Sequence, residues 1–231
     1  WSEEIKRGVL AMNAGMLDGA RVAMEEGVAA NISQGFHHSC FSRGGGYCTF
    51  NGLALVANEN PDKKIFVLDC DEHGGNGTHE FITGRDIGKE PMENLRQITI
   101  NGTSFGISTD EQKRSVAVTL PSITDDFSPY EEALERGFGI IEDWEPDLVI
   151  YQAGADPHIN DPLGTLGMTT EQMAYRDARV FEFLLGNRTP VLFVLAGGYQ
   201  EPIEELLVPL HANTFKEAKK VFSKSLKLDY A

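Results

Sequence analysis

The stretch IFVLDCDEHGGNGTHEF, residues 65–81, decides the fold. Four apolar residues run directly into Asp69, Asp71 and His73, and a glycine-rich loop follows. Because side chains alternate along a strand, these three polar residues should share one face. Like charges at the end of a buried strand are costly unless a cation neutralises them. The stretch therefore predicts a buried strand that ends at a metal site.

Apolar segments alternate with amphipathic ones on both sides of this strand. The predicted strands cover 65–70, 97–101, 115–120, 148–153 and 190–195. The predicted helices cover 5–30, 48–60, 128–144, 169–187 and 201–223. This alternation is typical of an α/β fold with a mostly parallel sheet flanked by helices on both faces. The chain has 231 residues, enough for one such domain, and no repeat or linker divides it.

Local signals place several helix ends and one loop. Ser2 is expected to start the first helix, and Ser128 to cap a later one with Pro129 in its first turn. Pro209 is expected to break the last helical segment. The polar stretch 102–113 is expected to form an exposed loop.

The composition is that of a globular protein with an acidic balance. Hydrophobic residues make up 41% and charged residues 24%, and 20 Lys and Arg face 35 Asp and Glu, a formal net charge of -15. Binding to a nucleic-acid backbone needs basic surface, so we expect no direct nucleic-acid binding. An acidic protein suits a cationic substrate.

Cysteine usage and hydropathy bear on the compartment. Cys40, Cys48 and Cys70 form no C-x-x-C pair, which argues against a disulfide framework or a cysteine zinc site. Cys70 alternates with the acidic residues and is expected to pack on the other face of its strand. No apolar run approaches the about 18 residues of a membrane span. We expect an intracellular, reducing location, the cytoplasm or, in a eukaryote, the nucleus.

Three predicted strands end in polar, glycine-containing sequence: DCDEHGGNG, QAGADPHIND and AGGYQ. In open α/β sheets, sites form at the carboxyl ends of strands. Asp71, His73 and Asp156 would supply two oxygens and one nitrogen, the mixed donor set of an open, catalytic zinc site.

Two other interpretations of residues 69–80 remain open at this point. The spacing of Asp69, Asp71, Gly74 and Glu80 matches positions 1, 3, 6 and 12 of a calcium-binding EF-hand loop. His73 is a poor calcium ligand, however, and the preceding segment is strand-like instead of helical. A phosphate-binding glycine loop is the second interpretation, although neither standard glycine motif occurs.

Two further segments carry reactive residue types. In GFHHSCFSRGGGYC, residues 35–48, His37 and His38 could flank a substrate as a general base and acid pair. The glycines before Tyr47 permit close backbone approach to a ligand, and Tyr47 could form an aromatic wall. In LAGGYQ, the hydroxyl of Tyr199 could donate a hydrogen bond to a developing oxyanion.

Taken together, these motifs resemble a known family. GFHHSCFSRGGGYCTFNGLALVA, LDCDEHGGNGTHEF, PDLVIYQAGADPHINDPLGTLGM and LAGGYQ are similar, in order and spacing, to the zinc-dependent histone deacetylase superfamily. That superfamily has an arginase-like α/β fold and includes bacterial acetoin-utilisation and acetylpolyamine amidohydrolase-like proteins. The wording of the motifs is most similar to the class IV branch and its bacterial relatives.

The resemblance implies a cofactor and its ligands. Asp71, His73 and Asp156 match the ligands of one Zn²⁺ per chain. A structural monovalent cation, K⁺ or Na⁺, near the backbone of residues 69–73 is a further feature of the family.

The resemblance also implies catalytic roles. His37 and His38 match the tandem histidines beside the catalytic water, with Asp69 orienting the first and Asn76 the second. Tyr199 matches the tyrosine that polarises the scissile carbonyl. One branch of the family has Asp at the position of Asn76, and a neutral partner should leave His38 with a lower pKa than a carboxylate would.

The resemblance also implies which residues contact the substrate. Gly46 and Tyr47 match the glycine-aromatic pair along the acyl-lysine tunnel, and Leu163 matches a pocket-lining position. Members of the family carry further residues before the first helix, including a strand and a tunnel-rim loop. We therefore expect residues 1–231 to be a single deacetylase-like catalytic domain that lacks part of its N-terminal region.

The function expected from this resemblance is zinc-dependent removal of an acyl group from an acyl-lysine peptide or an acylated polyamine. Two alternatives remain: an acyl-lysine or acylpolyamine-binding protein with weak turnover, and an arginase-like hydrolase with two metal ions. Oligomeric state, acyl length and natural substrate have no signature in the sequence.

Overall fold

A computed structural model of the protein describes residues 1–84 and 90–229. The strands are β1 (Val28–Gln34), β2 (Ile65–Asp69), β3 (Leu95–Asn101), β4 (Ser115–Thr119), β5 (Leu148–Ala153) and β6 (Val191–Leu195). The helices are α1 (Glu3–Glu26), α2 (Gly52–Glu59), α3 (Asn76–Thr83), α4 (Ser128–Trp144), α5 (Thr170–Gly186) and α6 (Val208–Asp229), with a π-helical turn over Ile203–Leu207.

The six strands form one parallel sheet in the order β1-β6-β5-β2-β3-β4. The predicted fold class, a parallel sheet flanked by helices on both faces, is confirmed. In the register, Asp69 pairs with Gln152 and Ala153 pairs with Leu195. The carboxyl ends of β2, β5 and β6 therefore lie side by side, and the three polar segments that follow them begin at the same edge.

Hydrophobic cores lie on both faces of the sheet. One face packs β2, β5 and β6 against α1 and α2 through residues such as Met16 and Leu53. The other packs the sheet against α4, α5 and α6, with Phe138 and Phe181 among its largest members. Fully burying one such side chain stabilises a fold by about 1.5–3 kcal/mol. Cys70 belongs to this second core, on the face opposite the acidic residues, as predicted.

Helix ends follow from local chemistry. The hydroxyl of Ser2 accepts the N–H of Ile5 at the start of α1, as expected of a cap. A full capping box between Thr169 and Gln172 begins α5. Gly27, in the left-handed conformation at φ 88°, ends α1 by donating its N–H to Ala23.

The prediction of a helix over residues 5–30 is wrong at its end. Residues from Val28 onward form β1, an edge strand that pairs with β6. The apolar spacing of α1 continues into this strand, so periodicity alone does not separate them, although Gly27 is a readable stop signal. The short helix α3 is also absent from the sequence-based prediction, because its glycines resemble a loop.

Three smaller expectations need correction. Phe127 occupies the N-cap of α4, and Ser128 is the first helical residue, held by the carboxylate of Asp126. Pro209 lies in the first turn of α6 and breaks nothing, since the π-helical turn ends one residue before that helix. The stretch 102–113 is largely exposed but buries Ile107 and Asp110.

The structure shows the state of the cysteines and the length and apolarity of the helices. Cys40, Cys48 and Cys70 are all free thiols and buried. Within residues 1–84 and 90–229, no helix has the length and apolarity needed to cross a membrane.

Candidate active site

Asp71, His73 and Asp156 meet where β2 and β5 end. One potential ligand atom from each lies within 4.8 Å of the other two. Nδ1 of His73 lies 3.3 Å from Oδ1 of Asp71 and 3.1 Å from Oδ2 of Asp156. Among the residues that the structure describes, this is the one group of three His, Cys, Asp or Glu side chains close enough to hold a metal ion. The three predicted metal ligands are therefore brought together from segments more than eighty positions apart in the sequence.

The backbone around the two carboxylates fixes their orientation. The N–H of Gly197 donates to Oδ2 of Asp71 at 2.7 Å, and the N–H of Glu72 donates to Oδ1 of Asp156 at 3.0 Å. Gly197 has to be glycine, because a Cβ there would lie 2.0 Å from Oδ2 of Asp156. Both carboxylates are fully buried.

The electrostatics of this group fit a divalent cation. Burial and the neighbouring charge of Asp71 raise the pKa of Asp156 to about 8. Burial alone would lower the pKa of His73, but hydrogen bonds with Asp156 and Asp71 raise it to about 10. The group thus holds protons that a metal ion would replace. Two carboxylate oxygens and one imidazole nitrogen form a donor set that suits zinc and leaves a position for water or substrate.

The tandem histidines lie beside this group with different partners. Nδ1 of His37 lies 2.7 Å from Oδ2 of Asp69, and Nδ1 of His38 lies 2.6 Å from Oδ1 of Asn76. Their rings are 4.0 Å apart between centroids. The short helix α3 contributes Asn76 to the second pairing. The N–H of Thr78 in the same helix donates to the carbonyl of His37, which ties the histidine segment to α3.

The pKa values of the two histidines move in opposite directions. Burial lowers the pKa of His37, but the charges of Asp69 and Asp71 outweigh it and raise that pKa to about 9. Burial and the charge of His37 lower the pKa of His38 to about 4. The hydrogen bond to Asn76 acts to raise the pKa of His38, but its effect is smaller than those of burial and of the charge on His37.

The predicted substrate-side residues surround the same edge of the sheet. Tyr199, half-buried, lies 5.9 Å from Tyr47 between ring centroids, and Tyr47 is 77% exposed. Gly46 has a φ of 48° and passes so close to His38 that a Cβ would lie 2.3 Å from Cδ2 of that ring. Leu163 is 44% exposed in the loop between β5 and α5.

Sequence analysis does not identify Phe105 and Asp161. The Phe105 ring stacks on His38 at 4.3 Å and meets His73 edge-on at 5.5 Å, so it forms an aromatic wall beside the histidines. Asp161 accepts the backbone N–H of Tyr199 at 2.7 Å. The readable signal for Phe105 is an aromatic residue in a polar loop, and for Asp161 an acid after a strand end.

The structure does not support the calcium-loop interpretation. The segment follows a strand, whereas an EF-hand loop follows a helix. Glu80, the twelfth position, lies in α3, where it accepts the N–H of Phe41 and pairs with Arg43 at 3.6 Å. It is thus engaged elsewhere.

The fold and this site define a class, a parallel α/β domain with an Asp-His-Asp group and paired histidines at the carboxyl edge of the sheet. The histone deacetylase domain family matches residues 1–214, and the chain belongs to that family.

Relatives with known sequences extend this result. Arabidopsis thaliana histone deacetylase 2 is 32% identical over 192 residues, which cover 81% of this chain and 48% of the relative. An uncharacterized protein of a Picosynechococcus strain is 28% identical over 226 residues, 96% of this chain and 72% of that protein. Bacillus subtilis acetoin utilization protein AcuC is 29% identical over 153 residues, 61% of this chain and 38% of AcuC.

Solved structures show the same fold. Acetylpolyamine aminohydrolase from Burkholderia pseudomallei superposes with a TM-score of 0.70 at 19% identity, over 91% of this chain and 62% of that one. The HDA15 HD domain superposes with a TM-score of 0.68 at 22% identity, over 89% and 59%. The chain therefore spans about three fifths of the solved structures that it matches.

Proposed function

We propose that this protein is a zinc-dependent hydrolase that removes an acyl group from acyl-lysine or a related acylated amine. The convergence of Asp71, His73 and Asp156 beside His37 and His38 carries this proposal. Membership of the histone deacetylase family supports it.

Asp71, His73 and Asp156 would hold the metal through one carboxylate oxygen each from the two acids and Nδ1 of the histidine. When bound, zinc supplies Lewis-acid polarisation of the amide carbonyl and lowers the pKa of water. The N–H donors of Gly197 and Glu72 keep the outer oxygens of the two carboxylates engaged, which orients their remaining lone pairs.

His38 is placed to act as the base. The amide oxygen of Asn76 only accepts hydrogen bonds, so Nδ1 of His38 carries the proton of that contact and Nε2 is left with its lone pair. With its pKa lowered to about 4, His38 is neutral near pH 7 and accepts the proton of the attacking water at Nε2. The same nitrogen then returns the proton to the leaving amine.

His37 has a different part. Its pKa, raised to about 9 by Asp69 and Asp71 against the effect of burial, keeps it protonated near neutral pH. Its Nε2 lies 3.8 Å from Oδ1 of Asp71. A fixed positive charge beside the histidine base favours the neutral form of His38 and steadies negative charge that develops on the substrate.

Tyr199 would donate its phenolic hydrogen to the oxygen of the scissile carbonyl. Burial and the charge of Asp156 raise the pKa of Tyr199, so the phenol keeps its proton. A single donor of this kind contributes about 3–4 kcal/mol to lowering the barrier of acyl transfer.

The substrate class follows from the surroundings of the site. Tyr47, Phe105 and Leu163 offer exposed apolar surface around it, which suits the methylene chain of an acylated amine. The formal net charge of -15 favours a substrate with further positive charge, such as a lysine-rich peptide or an acylated polyamine. One structural relative, the acetylpolyamine aminohydrolase of Burkholderia pseudomallei, is named for a substrate of that class.

The test is an acyl-substrate screen on the zinc-loaded protein. Acetyl-lysine peptides, longer acyl-lysine peptides and acetylated polyamines are the substrates, with the chelated protein and Asp156→Asn as controls. We expect amine release that depends on zinc and disappears in both controls. If none of these substrates is cleaved, the proposal is overturned. Saturable binding without turnover would then favour the acyl-amine-binding alternative. Two manganese ions per chain would favour an arginase-like hydrolase.

A further inference from the structure

Asp161 connects two residues of the candidate site through the separate oxygens of one carboxylate. Its Oδ2 accepts the backbone N–H of Tyr199 at 2.7 Å, and its Oδ1 accepts the backbone N–H of Leu163 at 3.0 Å. The residue is 6% exposed. It lies in the loop between β5 and α5, five positions after Asp156.

The segment that carries Tyr199 has little rigidity of its own. Gly197 and Gly198 precede Tyr199, and glycine restricts the backbone less than any other residue. The segment is held at Gly197, whose N–H donates to Asp71, and at Gln200, whose Nε2 lies 3.3 Å from Nδ1 of His158. Between these two anchors, the backbone N–H of Tyr199 itself donates a hydrogen bond to Oδ2 of Asp161.

A buried carboxylate is energetically unfavourable at this position. Burial and the neighbouring charge of Asp71 both act to raise the pKa of Asp161, so a further negative charge there is unfavourable. A hydroxyl or amide side chain has a single acceptor oxygen, so it could not offer a separate oxygen to each of these two N–H groups. Two charge-assisted hydrogen bonds to two different backbone segments require two acceptor oxygens, which a carboxylate has.

We propose that Asp161 is a positioning residue that sets the distance between the phenol of Tyr199 and the substrate carbonyl and, through Leu163, the wall of the acyl pocket. This inference rests on the proposed function, since the phenol matters only if a carbonyl is polarised there. Asp161 touches neither substrate nor metal in this role. It acts through the backbone of the two residues that it holds.

A double-mutant cycle separates positioning from a general structural effect. Displacement of a reacting group by about 1 Å can cost 10²-fold in rate, so Asp161→Ala should lower kcat by about 10- to 100-fold. In a Tyr199→Phe background the phenol is already absent, and Asp161→Ala should then change kcat by less than about threefold. KM should rise in both backgrounds, because the contact to Leu163 is lost in both.

Asp110→Ala is the matched control. Asp110 is 7% exposed and also accepts two backbone N–H groups, from Ser115 at 2.6 Å and Gln112 at 3.2 Å. It makes these contacts beside β4, away from Tyr199. This substitution removes the same kind of interaction, so its loss of stability should be similar, while kcat should stay within about twofold of the wild type.

An equal effect of Asp161→Ala on kcat in the two backgrounds would contradict the proposal. If Asp161→Ala lowers kcat by the same factor in both backgrounds, Asp161 does not act through the phenol and the positioning role is wrong. If Asp161→Ala does not fold, Asp161→Leu replaces it in the cycle, since it fills the space of the side chain and also removes both acceptor oxygens. The same criterion then applies.

A second measurement needs no activity and separates the two proposals. Hydrogen exchange of the segment 196–200, followed by mass spectrometry, should be faster in Asp161→Ala than in the wild type and in Asp110→Ala. If no acylated substrate is cleaved but exchange accelerates, the proposed function fails while the anchoring of Tyr199 holds. Unchanged exchange in this segment overturns the positioning inference even in an active enzyme.

Discussion

Nδ1 of His38 lies 2.6 Å from the amide oxygen of Asn76. The neighbouring His37 instead pairs with the carboxylate of Asp69 at 2.7 Å. Two adjacent histidines of the same chain therefore have unlike partners, one neutral and one charged. The pKa of His37 is raised to about 9 and that of His38 lowered to about 4, so a proton donor and a proton acceptor coexist at neutral pH.

Asn76→Asp should change the pH dependence of the reaction. A carboxylate next to Nδ1 favours protonated His38, so its pKa should rise by about 1–3 units. Since the neutral ring is the proposed base, the acidic limb of kcat/KM should move to higher pH by the same amount. The variant should therefore lose most activity near pH 5 to 6 and least near pH 8. The measurement is kcat/KM between pH 5 and 9.

Asp69→Asn is the reciprocal substitution at the other histidine. It removes the largest favourable charge on His37 and should lower the pKa of that ring.

An acidic limb that does not move in Asn76→Asp, with normal zinc content, would show that His38 is not the base.

Tyr199→Phe should affect turnover and leave the metal in place. The substitution removes only the phenolic hydroxyl, and loss of one oxyanion donor lowers kcat by about 10²–10³-fold. KM and the zinc content per chain should change little, because the ring remains and Tyr199 is not among the three clustered ligands. Steady-state kinetics and elemental analysis measure both. Wild-type turnover in this variant contradicts the proposed role.

Zinc binding near pH 7 should release protons. The pKa of His73 is raised to about 10, because its hydrogen bonds with Asp156 and Asp71 outweigh burial, and burial with the charge of Asp71 raises that of Asp156 to about 8. A metal ion needs deprotonated ligands, so about one to two protons should leave per zinc. Titration calorimetry in buffers of different ionisation enthalpy counts them.

The same titration tests the number of metal ions. We expect one zinc per chain, with affinity lost in Asp156→Asn and retained in Asp161→Asn. Heats that do not depend on the buffer would contradict the protonation of His73 and Asp156. A second equivalent of tightly bound metal would contradict a single site.

The sheet and the edge that carries the candidate site are largely predictable from sequence, and the reason is physical. The strands β2, β5 and β6 are buried on both faces, so each is a short apolar run. Polar residues directly after such runs lie at one edge because parallel strands share a direction. That rule places Asp71, Asp156 and Tyr199 together without knowledge of any contact.

The elements that sequence does not predict lack such a signal. The edge strand β1 is only partly buried, and its Ile32 is 78% exposed, so its pattern is not that of a buried strand. Phe105 and Asp161 depend on the path of loops, which no periodicity describes. The pKa of His38 depends mostly on burial and on His37, neither of which the identity of Asn76 reveals.

Phe105→Ala should weaken substrate binding and disturb the histidine base. Phe105 is 46% exposed and stacks on His38 at 4.3 Å, so its loss removes one wall of the site and one face of the ring's packing. We expect KM to rise by about two- to tenfold, which corresponds to the loss of an aromatic contact of about 0.5–1.5 kcal/mol. Phe50→Ala is the control, since Phe50 is 49% exposed and its ring contacts Trp1. Equal kinetic effects of the two substitutions would contradict a role for Phe105 at the site.

Gly46→Ala should lower activity through a direct clash with the base. Gly46 has a φ of 48°, and an added Cβ would lie 2.3 Å from Cδ2 of His38. Gly27→Ala is the matched control, because Gly27 also has a positive φ, 88°, but an added Cβ there meets nothing within 4 Å. Both substitutions carry the backbone cost of a left-handed residue, about 1–2 kcal/mol of stability. Only Gly46→Ala should also lower kcat/KM, since it alone must displace the ring that accepts the proton. Denaturant unfolding measures both stability losses, and that of Gly46→Ala should be the larger because it also includes the clash. A similar loss of activity in both variants would show that backbone strain, and not contact with His38, is responsible.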